Sequence, residues 1–274
     1  MSQPFRIGLA GLGTVGAGVV KIIQNNGETL AARAGRPIEI VSVSARDKSR
    51  DRGVDLSGYS WIDNAAAMPE SNNIDAVVEM IGGDSGPAYD LAKNALGRGL
   101  HVVTANKALL AHHGFELAKL AEDNEACIAY EAAVAGGIPV IKALREGFAA
   151  NNIRAVYGIL NGTCNYILSE MRETGRDFEG VLKDAQALGY AEADPSFDID
   201  GIDAGHKLCL LSAIAFGTKP DFASLKMTGI RNISAVDIRF ADEFGYRIKL
   251  IGMARQQDGQ IMQILEPCLV PIRS

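Results

Sequence analysis

Cysteine is scarce. Cys127, Cys164, Cys209 and Cys268 are the only four in 274 residues, with no C-x-x-C pair and no histidine at zinc spacing. That excludes a disulfide framework and a Cys/His structural zinc site, and it fits a reducing, cytoplasmic setting. Positive charge is thin too. The 27 basic residues are scattered against a net charge of −6, so there is no basic stripe of the kind a phosphate backbone needs, and nucleic acid is not an expected partner. No apolar run approaches the roughly 20 residues of a membrane helix. The N-terminus has Arg6 and a strand-like run rather than a long apolar stretch with a cleavage site, so neither membrane insertion nor secretion is expected. Internal repeats and low-complexity segments are absent as well.

What remains is an ordinary globular composition, 47% hydrophobic and 22% charged, long enough for two modest domains each with a core. In the first half, short apolar runs at 6–10, 38–44, 76–81, 101–104 and 128–131 read as buried strands. Stretches 14–33, 86–96 and 108–123 carry Val, Leu, Ile and Ala at helical spacing. This alternation predicts an α/β fold, a Rossmann-like doubly wound parallel sheet. Gly136-Gly137-Ile138-Pro139 offers a hinge, dividing the chain into domains 1–135 and 136–274. The second domain reads as α+β. Helices are expected over 140–148, 161–170, 178–188 and 202–216, with strands over 153–160, 246–255 and 260–269, the last two flanking the turn Asp258-Gly259.

The loop Gly11-Leu12-Gly13-Thr14-Val15-Gly16 lies between the first strand and the first helix. There the three glycines would give a tight turn, room for a pyrophosphate to approach backbone N–H groups, and close helix-to-strand packing. A purely structural turn is the competing reading. After the second strand, where an acidic residue would bind an adenosine ribose, stands Ser44-Ala45-Arg46-Asp47-Lys48; Arg46 and Lys48 suit a 2′-phosphate and point to NADP over NAD. Asp47 keeps NAD open, and the bland alternative is a solvated turn. Lys107, in Thr104-Ala105-Asn106-Lys107 at the carboxyl end of a strand, is placed to reach a cofactor or a substrate carboxylate, and Gly82-Gly83-Asp84-Ser85-Gly86 is a second glycine-rich turn on that edge. His101, His112 and His113 have no partner in the sequence and read as structural or surface residues.

Five carboxylates, Glu192, Asp194, Asp198, Asp200 and Asp203, precede Lys207. Asp203 and Lys207 share a helix face whose next residues, Leu210 and Ile214, are apolar, so the pair stands at the mouth of a buried helix. The spacing fails the calcium-loop pattern, since Gly201 comes too soon and no glutamate closes the loop. An ammonium-bearing substrate suits such carboxylates, and the Lys207 ammonium suits a carbonyl oxygen gaining negative charge as hydride arrives. A simple surface salt bridge, worth about a few tenths of a kcal/mol, is the alternative.

Asn161-Gly-Thr-Cys-Asn-Tyr-Ile167, Leu188-Gly-Tyr-Ala-Glu-Ala-Asp-Pro195 and Asp200-Gly-Ile-Asp-Ala-Gly-His-Lys207 together closely resemble homoserine dehydrogenase, over essentially the whole chain. The resemblance implies NADPH- or NADH-dependent reduction of L-aspartate 4-semialdehyde to L-homoserine, on the route to threonine, methionine and isoleucine. It implies Lys207 as proton donor, Glu192 and Asp203 as substrate ligands, Lys107 as a contact of cofactor and substrate, and Gly189 as a cofactor contact. The segment 131–138 is similar to the family's monovalent-cation loop, which implies that carbonyls of Glu131, Val134, Gly136 and Ile138 hold sodium; a plain glycine hinge is the alternative. A homodimer built through the second domain's sheet is also implied. Because the family usually continues beyond that sheet, the chain is expected to be C-terminally incomplete and without a regulatory domain. Two further readings are a related amino-acid dehydrogenase of the dihydrodipicolinate or saccharopine type, against which the acidic loop argues, and a non-catalytic dinucleotide-binding remnant.

Overall fold

Runs of Val, Ile and Ala too short for helices form the first sheet. In a computed structural model that describes residues 3–71 and 73–274, the chain divides into two compact units, Met1–Ala143 and Leu144–Ser274.

In the first unit β1 (Phe5–Ala10), β2 (Ile38–Ser44), β3 (Ser60–Trp61), β4 (Ala76–Glu79), β5 (His101–Thr104) and β6 (Ile128–Ala129) form one parallel sheet in the order β3-β2-β1-β4-β5-β6. Neighbouring residues of β4 show why its run is apolar on both sides. Val77 packs into a core with Leu91, Leu96, Leu109 and Leu117, whereas Val78 joins Ile7, Leu9, Val20 and Val43 in a second core. The helices supplying those layers are α1 (Thr14–Ala34), α2 (Pro87–Gly97) and α3 (Lys107–Asp123). Each fully buried leucine stabilises the unit by about 1.5–3 kcal/mol. The doubly wound expectation is met, with two-residue β3 as a sixth strand that the sequence pattern does not announce.

Two expected strands of this unit end early, for chemical reasons, and in the second unit the strand expected over 153–160 shortens to Ala155–Gly158. β4 stops at Glu79 because that side chain itself accepts the N–H groups of Ile81 (2.7 Å) and Gly82 (3.0 Å), bending the chain out of the ladder. β6 stops at Ala129, and Glu131 opens a short helix, α4 (Glu131–Val134), while its carboxylate accepts from Ile141 (2.8 Å) and Lys142 (2.9 Å). The helix expected over 140–148 is α5 (Val140–Lys142) running into a π turn, Ala143–Gly147.

In the second unit come β7 (Ala155–Gly158), α6 (Gly162–Thr174), α7 (Phe178–Ala187), α8 (Ser196–Ile199), α9 (Ile202–Phe216), β8 (Lys226–Met227), α10 (Ala235–Glu243), β9 (Tyr246–Gln257) and β10 (Gln260–Pro271). The sheet order is β7-β9-β10-β8. β9 pairs antiparallel with both β7 and β10, and β8 runs parallel to β10 at only two positions, Ile264 and Leu265. Asp258-Gly259 turns the hairpin with both residues at positive φ. The core joins Ile167, Leu168 and Met171 of α6, Val181 and Leu182 of α7, Ala204 of α9, Ile238 of α10, and Leu250 and Leu265 of the hairpin. Nearly every side of α9 is buried, from Asp203 through Ala213, and Lys207 is a partial exception. No helix among the described residues is long and apolar enough to cross a membrane.

Candidate active site and cofactor cradle

The glycine loop is fixed by contacts that only glycine allows. Gly11 has φ +95°, and a Cβ there would sit 2.3 Å from the Met80 carbonyl; at Gly16 it would sit 1.8 Å from the carbonyl oxygen of Gly11. Gly13 differs, for a Cβ there meets nothing within 4 Å. Gly13 is the N-cap of α1 and caps it with no side chain, and the first turn holds no acidic residue, so backbone N–H groups at this end are left for an anion. Thr14 and Val15 are exposed and Leu12 is buried. These residues fit a pyrophosphate.

Arg46 and Lys48 are both exposed in the loop after β2. The sequence gives no hint of Arg52's part. Its Nε donates to the Leu12 carbonyl (3.2 Å), one terminal nitrogen donates to the Asp47 carbonyl, and the guanidinium lies 5.7 Å from the Trp61 ring centroid. One cation therefore ties the glycine loop to the loop carrying Arg46 and Lys48, across 40 residues of sequence.

Lys107 is the first residue of α3, whose N-cap is Asn106. Asn106 accepts from Leu109 (3.1 Å), donates through Nδ2 to the Gly83 carbonyl (2.6 Å) and donates its backbone N–H to Thr104 Oγ1 (2.9 Å); Thr104 in turn donates to Glu79 (2.5 Å). The turn at 82–86 and the start of α3 are thus one network. The three histidines have structural or surface contacts: His101 Nδ1 accepts from Cys127 N–H (3.1 Å), and His112 and His113 stand beside Asp84 and Glu116.

In the 131–138 segment the Ile138 carbonyl accepts from Val140 (2.8 Å) and that of Glu131 from Ala135 (3.4 Å), while Val134 is buried and Gly136 exposed. Among the described residues no cluster of three His, Cys, Asp or Glu side chains could hold a metal. A site made of main-chain carbonyls is a different donor set.

In the second unit the acidic stretch is not a common pool of charge. Asp194 accepts its own loop's Ser196 N–H (3.1 Å), Asp200 is gripped by both Nε (3.0 Å) and Nη2 (2.8 Å) of Arg231, and Asp198 accepts from Asn161 Nδ2 (2.8 Å). Asp203 has another task. Its Oδ2 accepts from the Lys207 ammonium (2.8 Å) and from Asn161 (2.9 Å). Lys207 also donates to the Leu160 carbonyl (3.0 Å), just past β7. With side chains only 20% and 8% exposed, Lys207 and Asp203 form no ordinary surface pair. An ammonium has three donors, and these partners take two.

Glu192 is exposed on the loop after α7, where Gln186 donates to its backbone carbonyl (3.0 Å). Gly189, at φ +77°, ends α7 by donating to the Gln186 carbonyl (3.0 Å), and Thr163 holds the next residue's carbonyl (2.9 Å). Asn161 does more than its motif suggests, for its Oδ1 also caps α6 by accepting from Cys164 N–H (2.7 Å). Burial, and then the charges of Asp198, Asp203 and Asp200, push the Cys164 thiol up to about 12, so it is no nucleophile at neutral pH.

Known proteins resemble both units of the chain. Residues 11–131 match the family model "Homoserine dehydrogenase, NAD binding domain", and residues 139–274 match the model "Homoserine dehydrogenase". The homoserine dehydrogenase of Pseudomonas aeruginosa is 49% identical over 98% of this chain, which spans 61% of that relative's length. A crystal structure from Thiobacillus denitrificans superposes with a TM-score of 0.95 at 48% identity, covering 99% of this chain and 63% of its own. One from S. aureus has a TM-score of 0.87 at 39% identity, covering 100% of this chain and 68% of its own. The chain belongs to the homoserine dehydrogenase family.

Proposed function

We propose that this chain reduces L-aspartate 4-semialdehyde to L-homoserine, the step that leads on to threonine, methionine and isoleucine. The observation that carries the reading is the Lys207 ammonium, anchored by Asp203 and the Leu160 carbonyl, which among the described residues take two of its three donors. NADPH or NADH, when bound, supplies the hydride. As the aldehyde oxygen gains charge, Lys207 stabilises it and gives up a proton. Asp203 orients the amine and compensates its charge, and Asp203 and Glu192 also favour a substrate carrying an α-ammonium group.

Residues 1–135 serve the cofactor and 136–274 the chemistry. Gly11, Leu12, Gly13, Thr14, Val15 and Gly16 receive the pyrophosphate, Lys107 and Gly189 contribute further contacts, and Arg46 favours the 2′-phosphate of NADP. Carbonyls of Glu131, Val134, Gly136 and Ile138 are the proposed sodium ligands, and a homodimer in the cytoplasm is the proposed working form. The four free cysteines are compatible with that location.

The test follows NADPH oxidation with the semialdehyde as substrate. The protein is expected to turn over, and Lys207→Ala is expected to lower kcat by roughly 10²-fold or more while NADPH still binds. An unchanged rate in that variant would remove Lys207 from the chemistry.

A further inference from the structure

Glu79 is 0% exposed at the end of an otherwise apolar strand, and strand stability does not explain it. A buried carboxylate is costly unless every lone pair it offers is used. Its bonds run forward into the turns beyond the sheet: Oε1 accepts from Ile81 and Gly82, and Oε2 accepts from Thr104, whose own oxygen accepts from Asn106 N–H. Asn106 then returns to the Gly83 carbonyl and opens α3 at Lys107. In register, Glu79 stands between Ala10 of β1 and Thr104 of β5. Strand order reverses between β1 and β4, and in such sheets the loops at the carboxyl ends there border the dinucleotide crevice. The glycine loop lies on the β1 side, so the turns after β4 and β5 face the half of the cofactor distal to adenosine.

We infer that Glu79 is a positioning residue that locks the turns after β4 and β5 into one cradle for the nicotinamide half of the cofactor. The inference rests on the dinucleotide-binding reading above. Only a carboxylate suits the position: it accepts on both oxygens. Glutamine would accept on one side and donate on the other. Facing Thr104 Oγ1 with a donor, it would leave the threonine hydroxyl hydrogen without its acceptor and make that oxygen accept twice. The misfit would pass directly to Asn106 and Gly83.

The experiment compares the parent chain with Glu79→Gln in binding NADPH and 2′,5′-ADP, the adenosine half alone, alongside thermal melting. If NADH is the tighter cofactor, NADH and ADP replace them. The expected result is dinucleotide affinity lowered about tenfold with the adenosine-half affinity little changed and the melting transition lowered by only a few degrees, the effect of one mispaired buried group. Parental NADPH affinity, or equal weakening for both probes, overturns the inference; the latter is what general loosening of the fold would give. Should Glu79→Gln fail to fold, Thr104→Val, which deletes the hydroxyl alone, must show the same split, and parental affinity there overturns it equally. A parent chain that binds neither NADPH nor NADH would instead refute the dinucleotide reading, and this inference with it.

Discussion

Asn161 donates to Asp203 at 2.9 Å, on the same carboxylate oxygen that accepts the Lys207 ammonium at 2.8 Å. The amide also separates Asp203 from Asp198, to which it donates as well. Asn161→Ala would leave two buried or half-buried carboxylates short of a donor and α6 without its cap, and it is expected to cost about 2–3 kcal/mol of stability. Asn161→Asp is expected to be worse, because a third negative charge would enter the gap. Denaturant titration checks the stability, and kcat for both variants should fall if Asp203 keeps Lys207 in place.

The three glycines of the first loop should respond differently to alanine. Gly11→Ala and Gly16→Ala drive a methyl into main-chain atoms, and either should lose several kcal/mol or fail to fold, on the order of a severe core clash. Gly13→Ala has open space and should melt near the parent temperature while binding NADPH more weakly. Melting curves with and without NADPH separate the two behaviours.

Coenzyme choice should lie in the exposed cations after β2. Arg46→Ala and Lys48→Ala are each expected to raise KM for NADPH by roughly tenfold, the size of one charge-assisted contact, and to leave that for NADH nearly unchanged. Equal effects on both coenzymes would assign the cations to the pyrophosphate or to the surface.

Two buried thiols should make the fold sensitive to alkali. Burial raises Cys164 from 9.0 to about 12 and Cys209 from 9.0 to about 11. Their contribution is fully present below pH about 9, because folded and unfolded thiols are then both protonated. It is lost as pH climbs towards 11 and 12, where the unfolded chain releases protons that the folded chain retains. Stability measured by denaturant should therefore fall between pH 9 and 12, with a shallower slope in Cys164→Ala. At pH 8 a thiol reagent should label exposed Cys127 first and spare Cys164 and Cys209 in the folded chain.

The elements legible in the sequence are those whose signals are local. Helix α9 lies between two glycines, Gly201 and Gly217, both in the left-handed conformation, so both ends could be read directly. The long hairpin announces itself by alternation and by Asp258-Gly259. Strands β3 and β8 are two residues long and give no period to detect. Helix α10 opens on a capping box of Ser234 and Asp237, but its short, half-exposed run carries only a weak apolar period.

The site divides along the same line. Asp203 and Lys207 meet because four residues span one helical turn, so their pairing was visible. Arg231 is 31 residues from Asp200, and Asn161 is 42 from Asp203, and no local rule connects either pair. Without those partners the acidic stretch reads as one ammonium trap; with them, Asp198 and Asp200 have structural duties, and Asp194 turns back on its own loop.

Strand β10 is matched by β8 at two positions only, so most of that flank has no neighbouring strand among the described residues. The Leu265 carbonyl accepts from Thr228 on that flank, and a strand's N–H groups share the side of their own carbonyls at alternate residues, which brings Pro267 and Pro271 to the same flank. Neither proline has a hydrogen to offer. The flank is therefore blunted against recruiting a foreign chain into a growing ribbon, a protection that valine at both positions would remove.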